Sequence, residues 1–241
     1  MPPVRACVCL PTYNERGNVE PMLRALADVL GPDDRVLVID DASPDGTGAL
    51  AERLAAELPF VEVLHRERKE GLGPAYLAGF RRALDAGAQL VLEMDCDFSH
   101  DPADVPRLLA AAERADLVVG SRYVEGGSIP TWGVGRRLIS RGASVYARVL
   151  LGWPVRDATG GFKCFRRRVL ETIDLDRIAS RGYAFQIETT YRTLRAGFRV
   201  VEIPITFVDR KEGGSKMSRA IMVEAIWKVP ALRLAALSGR L

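Results

Sequence analysis

The sequence predicts a doubly wound α/β fold, in which one mostly parallel sheet carries helices on both faces. In the first half of the 241-residue chain, short runs of Val, Ile and Leu alternate with longer segments of helical periodicity. Strands that are apolar at every position are typical of parallel sheets that are covered on both sides. Polar clusters also follow three of the strands, and sheets of this kind bind ligands at the carboxyl ends of their strands.

The first 120 residues contain the alternating part of the pattern. We predict strands at residues 6–10, 35–40, 61–65, 89–94 and 116–120. Helices are predicted between them at residues 19–30, 47–58, 74–86 and 102–112, and the first of these ends at Gly31-Pro32.

The second half is less regular. Residues 121–135 and 157–163 are rich in glycine and predict loops, and residues 136–151 and 185–196 predict helices. A strand pair bent at Pro204 is expected over residues 199–208, then a charged loop over 209–218 and an apolar helix over 219–237 that breaks near Pro230. Because no long linker interrupts the chain, we expect one continuous domain over residues 1–241.

Composition excludes several classes of protein. An apolar content of 48% and a charged content of 27% exclude a disordered or fibrous chain. A net charge of +3 is too small to indicate nucleic acid as a partner. The four cysteines predict reduced thiols rather than a disulfide framework. Neither a secretory core at the N-terminus nor an uncharged run long enough to span a bilayer is visible, which favours a cytoplasmic protein.

The most informative motif is Asp95-Cys96-Asp97, which follows the predicted strand 89–94. Two carboxylates held this close repel each other unless a proton or a cation lies between them. A divalent ion held by one or two carboxylates and by substrate phosphates is the usual arrangement for Mg²⁺. The alternative is that the aspartates only cap the next helix, but Asp101, directly before Pro102, is better placed to do so.

Two further clusters indicate a nucleotide pocket. Asp40-Asp41 ends the second strand, and a carboxylate at that position commonly accepts hydrogen bonds from a ribose or a base. Residues 11–15 read PTYNE, which suits a wall against a nucleoside base, although Asn14-Glu15 also fits a simple turn. Neither the P-loop nor the dinucleotide fingerprint is present, and motifs of nucleophilic hydrolases and zinc proteases are absent from the sequence.

Cations are frequent in the later glycine-rich loops rather than on helix faces. Most surface Arg and Lys side chains are merely solvated, but these loops place their cations where an anion can bind. A turn at residues 213–216 is suited to fold over a pyrophosphate. The cations in question are Arg122, Arg136, Arg137, Lys163, Arg210, Lys211 and Lys216.

Taken together, the motifs resemble the polyprenyl-phosphate (dolichol-phosphate) mannosyltransferases, which are inverting glycosyltransferases with the GT-A fold. The matching segments run in family order over nearly the whole chain. They are LPTYNERGNVEPML, VLVIDDASPDGT, EGLGPAYLAGF, MDCDFSHDP, GSRYVEGG, RRLISRGAS, ATGGFKCFRR, GYAFQIE and PITFVDRKEGGSK. The resemblance implies transfer of mannose from GDP-mannose to a polyprenyl or dolichyl phosphate.

The resemblance also assigns site residues. The metal, Mg²⁺ or Mn²⁺, is expected at Asp95 and Asp97, with Ser99 as a third ligand, and Cys96 replaces the usual Ala of this segment. Asp97 and Arg122 are expected to be catalytic. The remaining positions are implied for substrate binding: Pro11, Tyr13, Glu15, Ile39 and Asp41 for the nucleotide, Arg210 and Lys216 for the donor, and Arg122, Arg136 and Ser140 for the acceptor phosphate. Lys163 is expected to bind substrate because it is a cation in a glycine-rich loop. Residues 1–120 then form the nucleotide-sugar half, residues 121–218 the acceptor half and residues 219–241 an amphipathic tail.

The expected acceptor belongs in a membrane, although no segment spans one. Residues 136–153 and 221–237 mix large apolar side chains with few or only basic charges, and such helices lie at anionic bilayer surfaces. We therefore expect peripheral association with the cytosolic face of a membrane. The same helices also fit packing against the sheet, a homodimer contact or a membrane-protein partner.

Three other functions compete with this one. A polyprenyl-phosphate glucosyltransferase or another UDP-sugar enzyme shares the PTYNE and DxD segments. A hydrolase that uses Asp95 as phosphoryl acceptor leaves the nucleotide pocket unexplained. A non-catalytic docking subunit does not need Asp95, Asp97, Arg210 and Lys216.

Overall fold

One seven-stranded sheet organises the molecule. The structure is a computed structural model, and it describes residues 4–180, 182–209, 219–239 and 241. Within these residues the strand order is β3-β2-β1-β4-β6-β5-β7. The strands are β1 Ala6–Thr12, β2 Asp34–Asp40, β3 Val61–His65, β4 Leu90–Glu93, β5 Leu117–Ser121, β6 Lys163–Arg166 and β7 Val200–Pro204.

Helices connect the strands and cover both faces of the sheet. A short 3₁₀ turn at Pro102–Asp104 precedes α4, and another at Leu175–Arg177 follows α6. The α-helices are α1 Arg16–Ala27, α2 Thr47–Glu57, α3 Leu72–Asp85, α4 Val105–Ala111, α5 Val134–Leu151, α6 Arg167–Thr172, α7 Gly182–Arg195 and α8 Arg219–Leu237.

The pairing of the strands confirms the predicted fold class. β1 runs parallel to β2 and β4, β2 to β3, and β5 to β7, while β6 alone is antiparallel to its neighbours β4 and β5. Thr12 lies opposite Asp40 in the β1–β2 register. The polar segments that follow β1, β2, β4 and β5 therefore meet at the same edge of the sheet.

Two apolar layers bury the two faces of the sheet. Alternate residues of β1 point to opposite sides, so Val8 and Leu10 pack in one layer and Cys7 and Cys9 in the other. All four cysteines are buried free thiols, as predicted. Burial on both sides is the reason that the strands are apolar at every position.

The structure corrects the sequence prediction at β6 and α6. Lys163 was expected to end a loop over residues 157–163, and no element was predicted for residues 164–166. In the structure Lys163–Arg166 pairs antiparallel between β4 and β5 and leads directly into α6. With only four residues and a cation at each end, β6 has no apolar run that identifies it. The predicted strand pair over 199–208 is also shorter, because β7 ends at Pro204 and Thr206 forms a single bridge with Ser128.

The predicted break of the last helix at Pro230 is wrong, since α8 continues through this residue to Leu237. Proline has no N–H, so the carbonyl of Ile226, four residues earlier, lacks its usual helical donor. The hydroxyl of Tyr146 on α5 donates to that carbonyl at 2.8 Å. A side chain from a neighbouring helix therefore supplies the hydrogen bond that Pro230 removes.

The last helix also closes a small third core. Ala147 and Leu151 of α5, Tyr191 of α7, and Val229 and Leu232 of α8 bury one another there. The rest of α5 stays outside this core, as described below. None of the helices in the described part of the chain has the length and apolar content needed to cross a bilayer.

Candidate active site

A crevice of about 430 Å³ opens at the carboxyl edge of the sheet. It gathers ten of the residues proposed from the sequence, and the elements that carry them are the turns after β1, β2, β4 and β5 together with α5. These residues are Pro11, Tyr13, Glu15, Asp41, Asp95, Cys96, Asp97, Ser99, Arg122 and Arg136. Arg210 and Lys216 lie outside the described residues.

A second cavity, of about 630 Å³, lies at the opposite, amino edge of the sheet. Its arginines are already engaged: Arg5 pairs with Asp34, Arg168 with Asp116, and Arg166 donates to the carbonyls of Ala112 and Ala115. Because its positive charges are committed to the fold, we place the functional site in the crevice.

One end of the crevice has the features of a nucleoside pocket. Tyr13 follows β1, and the ammonium group of Lys69 lies 3.7 Å from the centre of its ring. Asp41 pairs with Arg66 of the β3–α3 loop and accepts from the backbone N–H groups of Glu70 and Gly71. Burial raises the pKa of Asp41, although these donors act against it. The pocket therefore offers an aromatic face with charged groups beside it.

The tight turns after β1 and β2 hold this end in place. Asp40 accepts from the hydroxyl of Ser43 at 2.5 Å, so it is used inside its own turn and leaves Asp41 to face the crevice. The backbone N–H of Glu15 donates to Thr47 at 3.0 Å, which ties the start of α1 to the start of α2. Asp45 accepts from the backbone N–H of Thr47 at 3.0 Å, directly before α2, whose N-cap residue is Gly46.

Asp95 and Asp97 lie in the turn after β4. Oδ1 of Asp97 accepts both the backbone N–H of Ser99 at 3.1 Å and its hydroxyl at 2.6 Å. The hydroxyl of Tyr76 lies 3.5 Å from Oδ1 of Asp95. Phe98 adopts a left-handed conformation with φ of 60°, which makes the turn tight enough for Ser99 to reach back to Asp97.

The residues present fit a hard divalent cation. No group of three or more His, Cys, Asp or Glu side chains with metal-ligand geometry occurs among the described residues. Two carboxylates alone are too few to enclose a cation, but Mg²⁺ and Mn²⁺ are commonly held by one or two carboxylates plus phosphate oxygens of a substrate. The donor set is therefore that of a site completed by a bound nucleotide.

His100 supports the acidic segment from behind, a role that sequence analysis did not assign to it. Its Nδ1 accepts the backbone N–H of Asp95 at 3.1 Å, and its ring stacks on Phe162 with centres 4.9 Å apart. Burial and the charge of Arg122 lower the pKa of His100 to about 4, against an opposing effect of Asp97. The imidazole is therefore neutral and acts as a hydrogen-bond acceptor near pH 7.

Arg122 is a fixed, buried cation in the crevice wall. Its Nε and Nη2 donate to the two carboxylate oxygens of Asp157 at 2.8 and 2.6 Å, and Nη2 also donates to Thr159 at 2.8 Å. Burial works against the charge of Arg122, but Asp157 outweighs it and raises the pKa of Arg122. Burial likewise opposes ionisation of Asp157, and Arg122 reverses this and lowers the pKa of Asp157. Asp157 was predicted only as part of a loop, because sequence gives no sign of its partner.

Arg136 stands at the mouth of the crevice. Its guanidinium lies 3.9 Å from the centre of the Trp132 ring and donates to the carboxylate of Asp209 at 2.9 Å. The indole N–H of Trp132 donates to the same carboxylate at 3.0 Å. Ser140, one turn along α5, accepts from the hydroxyl of Tyr123 at 2.7 Å and does not line the crevice.

Two predicted site residues are core residues. Ile39 is fully buried in the layer beneath α3. The expectation that Lys163 lies in a loop is wrong: it is fully buried on β6, and its ammonium donates to the carbonyl of Gln186 at 2.8 Å and to Thr189 at 3.2 Å. Neither side chain lines the crevice.

Lys163 faces a second buried ionisable group that the sequence did not reveal. Glu93 lies opposite Lys163 in the β4–β6 register. Burial raises the pKa of Glu93 to about 7, and burial lowers the pKa of Lys163 to about 8. Each charge limits the shift of the other, so the two groups form a buried polar pair directly behind the acidic segment.

Comparison with known proteins identifies relatives over most of the chain. Residues 7–174 match the model of glycosyl transferase family 2. The undecaprenyl-phosphate mannosyltransferase of Micrococcus luteus is 50% identical, over 97% of this chain and 96% of that protein. The polyprenol monophosphomannose synthase of Mycolicibacterium smegmatis is 49% identical, over 95% of this chain and 86% of that protein.

Solved structures share the fold at lower identity. Glucosyl-3-phosphoglycerate synthase of Mycobacterium tuberculosis, in complex with Mn²⁺, UDP-glucose and phosphoglyceric acid, superposes with a TM-score of 0.68 at 19% identity, covering 93% of this chain and 79% of that one. A mannosyltransferase of Pyrobaculum calidifontis in complex with GDP-mannose and Mn²⁺ gives a TM-score of 0.58 at 19% identity, covering 98% and 74%. The arrangement of strands and helices is that of the GT-A fold.

Proposed function

This chain belongs to glycosyl transferase family 2, and from that premise we propose that it transfers mannose from GDP-mannose to the phosphate of a polyprenyl or dolichyl monophosphate, releasing GDP. The observation that carries the proposal is the crevice itself. A nucleoside wall at Tyr13, an acidic pair at Asp95 and Asp97, and cations at Arg122 and Arg136 line one continuous space. This order matches the order of groups in a nucleotide sugar followed by an anionic acceptor.

Asp95 and Asp97 are the residues that would hold Mg²⁺ or Mn²⁺. When bound there, the cation neutralises negative charge on the diphosphate as GDP departs. Ser99 fixes the carboxylate of Asp97 through two hydrogen bonds, and His100 fixes the backbone of Asp95. The chain thus presents both carboxylates in a set orientation before a nucleotide arrives, and Ser99 remains a candidate third ligand.

The acceptor requires orientation more than deprotonation. A phosphate monoester has a second pKa of about 6 and is largely dianionic at neutral pH, so it needs no general base. Arg122 cannot be neutralised by a change of pH within the physiological range, and Asp157 keeps it in one position. Arg136 is held ready by Asp209 and can exchange that carboxylate for the arriving phosphate. Direct displacement by the phosphate inverts the anomeric carbon.

An exposed apolar surface adjoins the mouth of the crevice. On α5 and α8, eight large apolar side chains are between 52% and 74% exposed: Val134, Leu138, Ile139, Val149, Ile226, Trp227, Leu234 and Leu237. Arg137, Arg141 and Arg148 are exposed on the flank of α5. A basic amphipathic surface of this kind binds anionic bilayers at the head-group level. We infer peripheral binding to the cytosolic face of a membrane, with a homodimer or a membrane-protein partner as the alternative occupants.

The decisive experiment offers the purified protein labelled GDP-mannose or UDP-glucose, with a polyprenyl phosphate in detergent or vesicles. We expect a lipid-linked mannose from GDP-mannose, with Mg²⁺ or Mn²⁺ present and not with a chelator. Transfer from UDP-glucose in place of GDP-mannose would establish the glucosyltransferase alternative. Tight lipid binding without transfer from either donor would establish a docking subunit.

A further inference from the structure

The side chain of Gln186 is a buried polar group that the reaction described above does not use. It lies on α7, which contributes Gly182, Tyr183 and Gln186 to the wall of the crevice. The residue is only 2% exposed. Its amide N–H lies beside the buried carboxylate of Glu93 and helps to lower the pKa of that group, but it makes no hydrogen bond of good geometry there. Oε1 has no hydrogen-bond partner in the described part of the chain.

Leaving the amide oxygen of Gln186 unpaired in the interior is costly. A buried amide oxygen without a donor is less stable than one that is hydrogen-bonded, because it has given up its hydrogen bonds to water. Most buried polar side chains in proteins have a partner, and exceptions concentrate at functional sites. The unused hydrogen-bonding capacity of Gln186 therefore points to a ligand.

The position of the amide is set by the backbone around it. The Gln186 carbonyl accepts from Lys163 at 2.8 Å and from Thr190 at 3.0 Å, which anchors this turn of α7 to β6. The side chain then lies behind Gly161, since a Cβ built on that glycine would be 3.5 Å from Nε2 of Gln186. The same Cβ would be 3.8 Å from Cε1 of His100, which holds the backbone of Asp95.

Two glycines separate the amide from the open crevice. Gly160 and Gly161 both line this space and carry no side chain to block it. The amide is thereby placed next to the acidic segment, on the path from Asp97 to the buried cation Arg122. In the proposed function, the hexose of the donor, which is attached to the diphosphate, lies between Asp97 and Arg122.

The chemistry of the amide selects a hydroxyl group rather than a phosphate. A primary amide is uncharged and offers two N–H donors and one carbonyl acceptor. Phosphate oxygens only accept and favour cations, whereas a hydroxyl both donates and accepts. The hexose is the uncharged, hydroxyl-rich part of a nucleotide sugar.

We propose that Gln186 is a specificity-determining residue whose amide hydrogen-bonds a hydroxyl group of the transferred hexose. The inference rests on the proposed function, because it takes a nucleotide sugar as the ligand of the crevice. A site built to pair with one hydroxyl rejects a sugar that lacks it, since the amide is then left unpaired again. Gln186 would thus recognise the sugar, while Tyr13 and its neighbours recognise the nucleoside.

The test compares wild type with Gln186→Leu, using GDP-mannose and its four monodeoxy analogues at positions 2, 3, 4 and 6. We expect Gln186→Leu to lower kcat/KM for GDP-mannose by roughly tenfold to a hundredfold. Inhibition by GDP alone should change less than about twofold, because GDP has no sugar. One analogue should be a correspondingly poor donor for wild type, and Gln186→Leu should no longer distinguish it from GDP-mannose.

Two further variants keep the test decisive. Gly161→Ala places a methyl group over the amide of Gln186 at ordinary contact distances, so the variant should fold. It should also lower kcat/KM for GDP-mannose without lowering the affinity for GDP. Thr193→Val removes a buried hydroxyl about two turns further along α7, outside the crevice. It should leave kcat/KM for GDP-mannose and the inhibition by GDP near their wild-type values. If Gln186→Leu does not fold, Gly161→Ala carries the test.

The inference is overturned if Gln186→Leu and Gly161→Ala discriminate among the analogues as wild type does. It is equally overturned if the affinity for GDP falls in parallel with kcat/KM, because Gln186 would then only maintain the structure of the crevice wall. Failure of the proposed function is a separate result, in which wild type itself transfers nothing from GDP-mannose.

Discussion

At the scale of single residues, position after a strand was sufficient to find the acidic centre. Asp95 and Asp97 were predicted from two carboxylates that directly follow an apolar run, and the structure places both in the crevice. His100, Asp157 and Gln186 were not predicted, because their roles depend on partners far away in the sequence. Arg122 and Asp157 are 35 residues apart, and no local pattern links them.

Asp97 provides the most direct test of the acidic centre. We expect Asp97→Asn to lower transfer by at least about a thousandfold, since the carboxylate that would hold the cation loses its charge. Ser99→Ala should reduce activity less, because it removes only one of the two hydrogen bonds that orient Asp97. Initial rates over a range of Mn²⁺ concentrations measure both effects.

A matched control for this pair is Asp101→Asn, which removes a charge four residues away at the cap of the 3₁₀ turn. Its transfer rate should stay within a few-fold of wild type. Wild-type turnover by Asp97→Asn, with its thermal unfolding unchanged, contradicts the assignment of a metal to this segment.

His100 makes the stability of the protein depend on pH in a predictable direction. Burial lowers its pKa from 6.5 to about 4 in the folded state, so the unfolded chain takes up a proton first as pH falls. The contribution of His100 to stability is therefore complete above pH 6.5 and is lost progressively between about pH 6.5 and pH 4. Between pH 7 and pH 5 the loss amounts to about 2 kcal/mol.

Urea unfolding of wild type, His100→Asn and His65→Asn at pH 7 and pH 5 measures this contribution. The asparagine at position 100 retains an acceptor but does not titrate, so its free energy of unfolding should fall by about 2 kcal/mol less than that of wild type. The exposed His65 serves as the control and should behave as wild type does. An equal fall in all three proteins is incompatible with a neutral, buried His100.

At the scale of elements, apolar runs with clear ends were predicted well and short charged ones were not. Residues 61–65 were predicted as a strand and are β3, with the same limits. β6 was missed because its four residues, KCFR, are recognised as a strand only through pairing with β4 and β5. Antiparallel insertion between parallel strands is a tertiary feature, and it is this insertion that carries Lys163 into the core.

The contact between α5 and α8 yields a test at this scale. Tyr146→Phe removes the donor to the Ile226 carbonyl, and we expect a loss of about 0.5–1 kcal/mol in the free energy of unfolding. In a Pro230→Ala background, the new N–H at position 230 satisfies the same carbonyl. Tyr146→Phe should then cost almost nothing.

A double-mutant cycle by chemical denaturation measures this coupling. Additive effects of the two substitutions would show that Tyr146 does not compensate for Pro230. The outcome bears on the general rule that proline breaks a helix, which failed here for a reason that lies outside the helix.

At the scale of the whole molecule, the crevice at the carboxyl edge of the sheet lies next to the exposed apolar surface of α5 and α8. Arg136 stands at the mouth of the crevice, and the exposed Ile139 lies one turn along α5 on the same side of the helix. Leu138, Val145 and Val149 form a second exposed apolar stripe on another side of α5. An acceptor phosphate bound at Arg136 would therefore leave its isoprenoid chain beside Ile139, on a helix whose other exposed apolar side chains can rest on the bilayer. The sequence predicted amphipathic helices, but it left open whether these faces pack inside the protein, and α5 keeps most of its apolar face exposed.

This arrangement predicts that membrane binding and use of the lipid acceptor depend on the same side chains. Leu138→Glu with Val149→Glu introduces two charges into the exposed face, where each is 65% to 70% exposed, so the fold should tolerate them. We expect binding to anionic vesicles to fall by at least about tenfold, because burial of apolar area and attraction to acidic lipids are both weakened. The KM for a long polyprenyl phosphate should rise in vesicles, while the KM for GDP-mannose stays unchanged.

The control variant is Ala110→Glu, which adds a charge away from this surface, at an exposed position on α4 near the amino edge of the sheet. It should change neither the binding to vesicles nor the KM for the polyprenyl phosphate. If the double variant binds vesicles as wild type does but sediments at half the mass, the face is a homodimer contact instead, and the lipid must reach Arg136 by another route.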